Sequence, residues 1–327
     1  MPRRSLPFLA GLAGVLLAAA SAAPAVADDG GFTLKDPRIT ESSGLAASRQ
    51  HPGIYWTHND SDDGAYLYAV DSRTGETVAT VTMTGVGAPR DVEAVSMGPG
   101  NRIYVGDIGD NLGGTWDYVW IYELPEPKQL KDQTIRATQY VVKYADGARD
   151  AEALMVHPKT GRVYIADKNE DGGSLYEGPA ELSASGTNVF KRVAAVDLWV
   201  TDGAFSPDGK RLAVRGYFGG ILYDWNGGKI KRVDRLSVPL QGQGESMTYT
   251  TDGAEIMYGT EGEGSRVVAR EAPGGGDGSD SASGGGSSDS AQGDSGDGTN
   301  SGIKAGALAV VAGLVVVWGL KRLLRRS

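Results

Sequence analysis

Residues 90–95 read RDVEAV and residues 149–154 read RDAEAL: one Arg-Asp-x-Glu-Ala-aliphatic sextet, written twice, 59 residues apart. Self-similarity at such a spacing is the signature of repeat architectures, in which one supersecondary unit is stacked several times. Three fainter copies obey the same rule: Glu41-Ser42-Ser43-Gly44-Leu45, Val200-Thr201-Asp202-Gly203-Ala204 and Gln243-Gly244-Glu245-Ser246-Met247. Each copy opens a short run of strand character that ends in a turn. The turns are His51-Pro52-Gly53, Pro99-Gly100-Asn101, Pro158-Lys159-Thr160-Gly161, Pro207-Asp208-Gly209 and Asp252-Gly253. Pro and Gly supply the fixed or positive φ that tight turns require, so every copy reads as the first arm of a hairpin.

Second arms follow at residues 54–56, 102–105, 162–165, 211–214 and 255–258, third strands at 66–70, 118–122, 174–176, 221–225 and 267–270. Outer strands follow at 77–83, 135–143, 189–196 and 230–236, and the fifth unit is one strand short. Phe32-Thr33-Leu34-Lys35 can supply that strand and close a ring with no edge unpaired. Four-stranded units recurring every 43–59 residues predict an all-β fold, a β-propeller of five blades. Six blades are the alternative if the interval 93–152 conceals one, and a plain β-sandwich is the arrangement that would not need the repeat.

The two ends of the chain predict its address. Arg3 and Arg4 precede an apolar stretch from residue 6 to 23, and Ala25-Val26-Ala27 has the small-x-small form of a cleavage site, so residues 1–27 read as a secretory signal. Arg3-Arg4-Ser5-Leu6 is also compatible with twin-arginine export. The mature chain then begins near Asp28, with a propeller ectodomain over residues 28–272. Residues 273–301, almost wholly Gly, Ser and Asp, cannot bury enough apolar surface to offset chain entropy and read as a linker. Residues 303–320 are apolar but for Lys304, long enough for a short transmembrane helix, and the basic tail 321–327 (Lys321, Arg322, Arg325, Arg326) marks the cytoplasmic side. The expected localisation is the cell membrane, single-pass, with the N-terminal domain outside and the lipid bilayer as one partner. A buried core helix is the competing reading of residues 303–320, but core helices are not flanked by a linker and a polybasic stop. Ala305, Ala309 and Gly313 share small-xxx-small spacing, common by chance in so Ala- and Gly-rich a span.

There is no cysteine, so an exported domain relies on its core rather than on disulfides. All 41 acidic residues lie between the leader and the span, while seven of the 32 basic ones (Arg3, Arg4, Lys304 and four in the tail) lie at the ends. The middle is therefore strongly acidic, the wrong sign for nucleic acid.

In a propeller blade the start of the first strand and the end of the second meet on one face. That geometry gathers Glu41, Asp91, Glu93, Asp150, Glu152, Asp202 and Glu245 with the residues that follow second strands: His58-Asn59-Asp60, Asp107, Asp110-Asn111, Asp167-Lys168-Asn169, Arg215, Tyr217 and Glu261. Asp91, Glu93, Asp150, Glu152, Asp202 and Glu245 are the candidate metal ligands. Crowded carboxylates raise one another's pKa unless something neutralises them, and calcium, which takes six to eight oxygen ligands, is the expected cofactor. Zinc does not suit a mouth whose one nitrogen donor is His58, since His51 and His157 fall in turns on the opposite face. The bland alternative pairs the acids with Arg90, Arg149 and Arg215 or with strand-end amides. Gly242-x-Gly244-x-Ser246 lacks the strand-to-helix turn of a nucleophile elbow. Asp60-x-Asp62 with Gly64 lacks the closing Glu of a calcium loop, and Gly109-x-x-x-Gly113 has no Lys-Ser/Thr after it.

Over residues 32–271 the chain resembles secreted propellers related to the esterase-like domain of phytase-type proteins, and more distantly the gluconolactonase and strictosidine-synthase propellers. The resemblance rests on Ser43-Gly44-Leu45-Ala46, Asp91-x-Glu93-Ala94-Val95, Asp150-x-Glu152-Ala153-Leu154 and Gly244-Glu245-Ser246-Met247. The layout of leader, propeller, linker and span resembles membrane-anchored surface propellers of high-GC Gram-positive bacteria. In hydrolytic members of these families a central divalent metal activates water or positions a phosphate or lactone, and the resemblance assigns that inner-strand position to Glu93, Glu152 and Glu245. The lysine-rich phosphate clamp of propeller phytases has no counterpart here, and Asp202 stands where a Glu would repeat.

Two functions of different class follow. One is a surface-tethered binding or scaffold propeller whose acidic mouth holds calcium, with an extracellular ligand or protein docking around it. The other is a calcium-dependent hydrolase of phosphate or lactone esters, with Glu93 or Glu152 as base. The fold serves both trades.

Overall fold

The computed structural model describes residues 30–274, apart from 62 and 111. The leader 1–27, the span 303–320 and the tail 321–327 lie outside the described residues, as does all but the first two residues of the linker. Among the described residues no helix is long and apolar enough to cross a membrane.

The described chain is all-β, and its strands fall into five four-stranded units. The first holds β2 (Ser42–Ala47), β3 (Ile54–Asn59), β4 (Tyr66–Asp71) and β5 (Thr77–Thr84). The second holds β6 (Val92–Gly98), β7 (Arg102–Asp107), β8 (Val119–Pro125) and β10 (Thr138–Tyr144). The third holds β11 (Ala151–Val156), β12 (Val163–Asp167), β13 (Gly173–Glu177) and β14 (Thr187–Val196). The fourth holds β15 (Val200–Phe205), β16 (Arg211–Gly216), β17 (Gly219–Asn226) and β18 (Lys229–Leu236). The fifth holds β19 (Ser246–Tyr249), β20 (Glu255–Gly259) and β21 (Arg266–Glu271), completed by β1 (Phe32–Thr33), which pairs antiparallel with β21 through Phe32↔Val267 and Thr33↔Arg266.

Burial explains why each run takes its place. In β11 all six residues are buried, as expected of an inner strand covered on both sides, whereas β14 alternates exposed and buried over residues 187–191, as expected of an outer strand with one wet face. The hydrophobic cores lie between units rather than within them. Trp56 and Leu67 of the first unit pack with Val95, Ile103 and Tyr122 of the second, and four more clusters repeat this around the chain. The last joins Leu45, Tyr55 and Val70 of the first unit to Met257 and Val267 of the fifth, with Phe32 and Leu34 between them. Five interfaces for five units close a ring. A cavity of about 380 Å³ at its centre is lined from all five first strands, by Leu45, Val95, Val156, Ala204 and Met247 among others.

The N-terminal segment seals the joint. Leu34 N donates to Ser265 O and Lys35 N to Gly75 O, each at 2.9 Å, so the segment is held by the fifth unit on one side and the first on the other. Gly75 has φ of 74°, and a Cβ there would lie 2.0 Å from Thr33 O, so the approach requires glycine.

The long interval between the two sextets conceals no sixth unit among the described residues. Its extra length forms the loop 108–118 and β9 (Gln133–Arg136), which pairs parallel with β5 and splits the expected 135–143 strand in two. The outer strands β10 and β14 also pair in parallel, joining the second and third units into one eight-stranded sheet.

Candidate functional site

A register irregularity explains the repeated sextet. In the β6–β7 ladder Val92 faces Asp107 and Ala94 faces Gly106, leaving Glu93 without a partner. Glu152 is skipped likewise between Ala151↔Asp167 and Ala153↔Ala166, and Thr201 between Val200↔Gly216 and Asp202↔Arg215. In the first unit the shift falls between Ser42 and Leu45. A β-bulge takes one residue out of the ladder and re-aims its side chain. The equivalent positions around the ring are thus Ser43, Glu93, Glu152, Thr201 and Glu245, all buried, and three of the five are glutamates.

This register corrects one equivalence drawn from the sequence. The fourth-unit counterpart of Glu93 is Thr201, whose hydroxyl donates to Gly244 O at 2.9 Å. Asp202 sits one residue later, where alternation turns it to a different side: its carboxylate accepts from Gly203 N at 2.7 Å and Met247 N at 2.6 Å, tying the fourth unit to the fifth.

Four of the six candidate ligands fall into two groups, while Asp150 and Asp202 accept backbone amides instead. Asp91 and Glu93 meet Asp60, which follows β3, and one carboxylate oxygen from each lies within 4.8 Å of the others, all three residues being buried. Glu93 Oε2 accepts from Ser43 Oγ at 2.9 Å. Glu93 Oε1 and Asp91 Oδ2 both face Gly109, where a Cβ would stand 2.6 and 2.8 Å from them, so only a bare backbone fits against the pair. Burial pushes the Glu93 carboxyl well above the carboxylate range, with Asp60, Glu152 and Asp91 adding to the rise and Lys168 opposing it. Beside this cluster His58 Nε2 is buried and makes no hydrogen bond, and it stands 2.4 Å from where a Cβ on Gly44, the neighbour of Ser43, would be. Burial pushes this imidazole down to about 4, so its ring is neutral at pH 7.

Glu152 and Glu245 belong to the second group, which holds cations. Lys168 Nζ donates to Glu152 Oε1 at 2.5 Å and lies 5.9 Å from the Tyr217 ring centre. Burial pulls the Lys168 ammonium down, but Glu152, Tyr217, Glu245 and Glu93 outweigh it and hold it well above its ordinary value. Glu245 faces the same ammonium and the buried Arg215. Arg215 Nη1 donates to Ser246 O at 2.9 Å and Gly259 O at 3.0 Å, while its Nε and Nη2 make no hydrogen bond. Asp150 is half-buried and accepts from Asp110 N at 2.8 Å.

The other acids of this face are structural. Asp107 accepts from Arg90 N at 3.1 Å and Asp91 N at 3.0 Å, and Asn59 accepts from Thr40 N and Glu41 N, so in the first two units the second strand pins the loop entering its own first strand. Asp110 caps its own loop, accepting from Trp116 N at 2.6 Å. Arg90 is not set against the mouth carboxylates. Its guanidinium is stacked between Trp116 and Trp120, at 3.9 and 3.8 Å. Arg149 bridges to Asp146 at 3.1 Å and to Asp167, an acid of this face, at 3.9 Å, as the pairing alternative expects. The cation set among Glu152, Glu245 and Glu93 is Lys168, which sequence reasoning placed at the mouth without giving it that part. The signal was available, since Lys168 is the one lysine among residues directly following second strands.

No protein-family model matches the chain, and no curated protein sequence does. Among solved structures it resembles the soluble aldose sugar dehydrogenase of Escherichia coli in its apo-form, with TM-score 0.45 and 11% identity over 73% of this chain and 98% of that one. It also resembles the WD40 repeats of RRP9, with TM-score 0.40 and 11% identity over 70% and 79% of the two chains. For the hydrazine synthase of Kuenenia stuttgartiensis the TM-score is 0.38 and the identity 14% over 67% of this chain, the match spanning 61% of that chain. Likeness at this level carries nothing about what the chain binds.

Proposed function

We propose that this chain is a membrane-tethered, cell-surface propeller that binds or scaffolds a partner through an acidic mouth, and that the mouth holds calcium. The observation that supports calcium is the convergence of Asp60, Asp91 and Glu93: three buried carboxylates, with oxygens within 4.8 Å of one another. Calcium takes a flexible shell of six to eight oxygens at about 2.3–2.6 Å, which carboxylates and backbone carbonyls can supply together. The donor set is all oxygen, which suits a hard cation. Ser43, the Gly109 backbone and the neutral His58 ring complete its surroundings. The tether rests on the sequence of residues 1–27 and 303–327.

Lys168 supports the second reading, a calcium-dependent hydrolase of phosphate or lactone esters. Its side chain is about one-fifth exposed, its ammonium stands among Glu152, Glu93 and Tyr217, and it would receive an anionic substrate group beside the carboxylate cluster. Glu93 or Glu152 would serve as base.

The test is metal analysis of the purified full chain in detergent, then thermal melts with chelator and with calcium. At calcium a hundredfold above the dissociation constant, linkage contributes about 2.7 kcal/mol, and at roughly 2–4 °C per kcal/mol the melt should rise by about 5–10 °C. An unchanged melt would remove the calcium reading. A panel of phosphate and lactone esters separates the two functions.

A further inference from the structure

The loops around the acidic mouth carry an apolar surface that neither the ring nor the carboxylate cluster uses. Four of the most exposed large apolar side chains are Leu240 at 100%, Leu112 at 72%, Phe218 at 66% and Tyr118 at 43%. Antiparallel pairing puts all four on one face: Leu112 and Tyr118 in the loop after β7, Phe218 after β16, and Leu240 in the connection entering β19. Among the described residues the turns of the opposite face expose no large apolar side chain, and Val78, Val189, Val193 and Val233, exposed by 37–46%, belong to outer strands. Two of the four continue into neighbouring aromatic rings. Phe218 adjoins Tyr217 at 6.3 Å between ring centres, and Tyr217 meets Trp199 at 5.2 Å. Across the mouth Tyr118 meets Trp120 at 5.7 Å, beside the stacked Arg90.

Exposed carboxylates predominate on this face: Asp117, Asp146, Glu170, Asp171, Asp197 and Glu263 are exposed, whereas Arg149 and Lys168 are half-buried and turned to Asp146 and Glu152, and the exposed Arg38 is paired with Asp36. A second copy of this face would be repelled, and so would an anionic lipid surface. Aromatic anchors set among carboxylates fit a polypeptide that offers apolar side chains and cations together.

We infer that the mouth face docks a cationic, amphipathic polypeptide segment, with Phe218 and Leu240 as apolar anchors and the rim carboxylates steering its Lys and Arg side chains. This rests on the binding reading above and names the partner's chemistry. Steering by rim charge acts on encounter, and the anchors hold the complex.

The test uses the full chain in neutral detergent and three fluorescein-labelled helical peptides of one length: Lys/Leu, Glu/Leu and Lys/Ser. Anisotropy should show binding of the Lys/Leu peptide alone, weakened at least tenfold by Phe218→Ser/Leu240→Ser and progressively by salt, with Val233→Ser as an outer-strand control that changes nothing. All three substitutions lie on exposed positions, so matching melts confirm that the fold is intact. Equal binding of the Glu/Leu or Lys/Ser peptide, no binding of any, or full retention by the double variant overturns the docking face. The calcium melt, run on the same samples, reports separately on the proposed cation site.

Discussion

Replacing Leu34 by alanine tests whether the N-terminal segment is part of the ring or an ornament on it. Leu34 is 1% exposed and fills the joint between the first and fifth units, in contact with a cluster that includes Leu45, Val70, Met257 and Val267. A buried Leu→Ala change costs about 2–5 kcal/mol, the spread reflecting how far the site can collapse. A ladder of two residue pairs offers little backbone support for such a collapse. For a domain of this size each kcal/mol moves the midpoint by roughly 2–4 °C, so the melt should fall by roughly 4–20 °C. Leu112→Ala, at an exposed position, should stay within about 0.5 kcal/mol of wild type. Gly75→Ala attacks the same joint from the other side by driving a methyl against Thr33 O. Because both substitutions release one strand, the double variant should lose less than the sum of the singles. The assay is a thermal melt of four variants, with limited proteolysis of the N-terminus as a second readout. A Leu34→Ala melt within about 2 °C of wild type, or strict additivity with Gly75→Ala, would refute the closing role of this segment.

Other outcomes bear on the mouth. Gly109→Ala leaves every charge in place but crowds Glu93 Oε1 and Asp91 Oδ2, so it should cost the chelated protein about 1–3 kcal/mol and abolish most of the calcium-induced melt shift; an undiminished shift argues against ligation there. Glu93 binds its proton more tightly folded than unfolded, so the folded state holds more protons as pH rises from about 4.3. Metal-free stability should therefore fall as pH rises through the folded value, and the calcium shift should grow over the same range, as melts in chelator and in calcium across pH 4–9 will check. Lys168→Met strands Glu152 as a buried charge and should cost about 3–5 kcal/mol, much of it recovered by adding Glu152→Gln, in urea titrations of both variants.

The repeat, the hairpin turns and the missing outer strand were legible in the sequence because local chemistry writes them. Pro and Gly set turns within a few residues, and alternation declares which side of a strand is wet. Phe32-Thr33 could be assigned to the open edge because an incomplete unit and an unassigned strand at opposite ends of a chain have one mutual solution. The concentration of acids at one mouth was legible too, since antiparallel pairing alone decides which strand ends share a face.

Three features were decided only in the tertiary structure. The bulges that release Glu93 and Glu152 depend on how neighbouring strands pair, and no spacing in one strand reveals that Thr201, rather than Asp202, takes the equivalent place. The separation of the acids into a carboxylate cluster at Asp60, Asp91 and Glu93 and a cation-held group around Lys168 depends on which unit stands beside which around the ring. Arg90, three letters from Glu93, stacks on Trp116 and Trp120 instead of joining the carboxylate cluster. A sequence records which residue types arrive at a strand end, while electrostatic partnership falls off within a few ångströms, and distances that short are fixed only when all five units have packed.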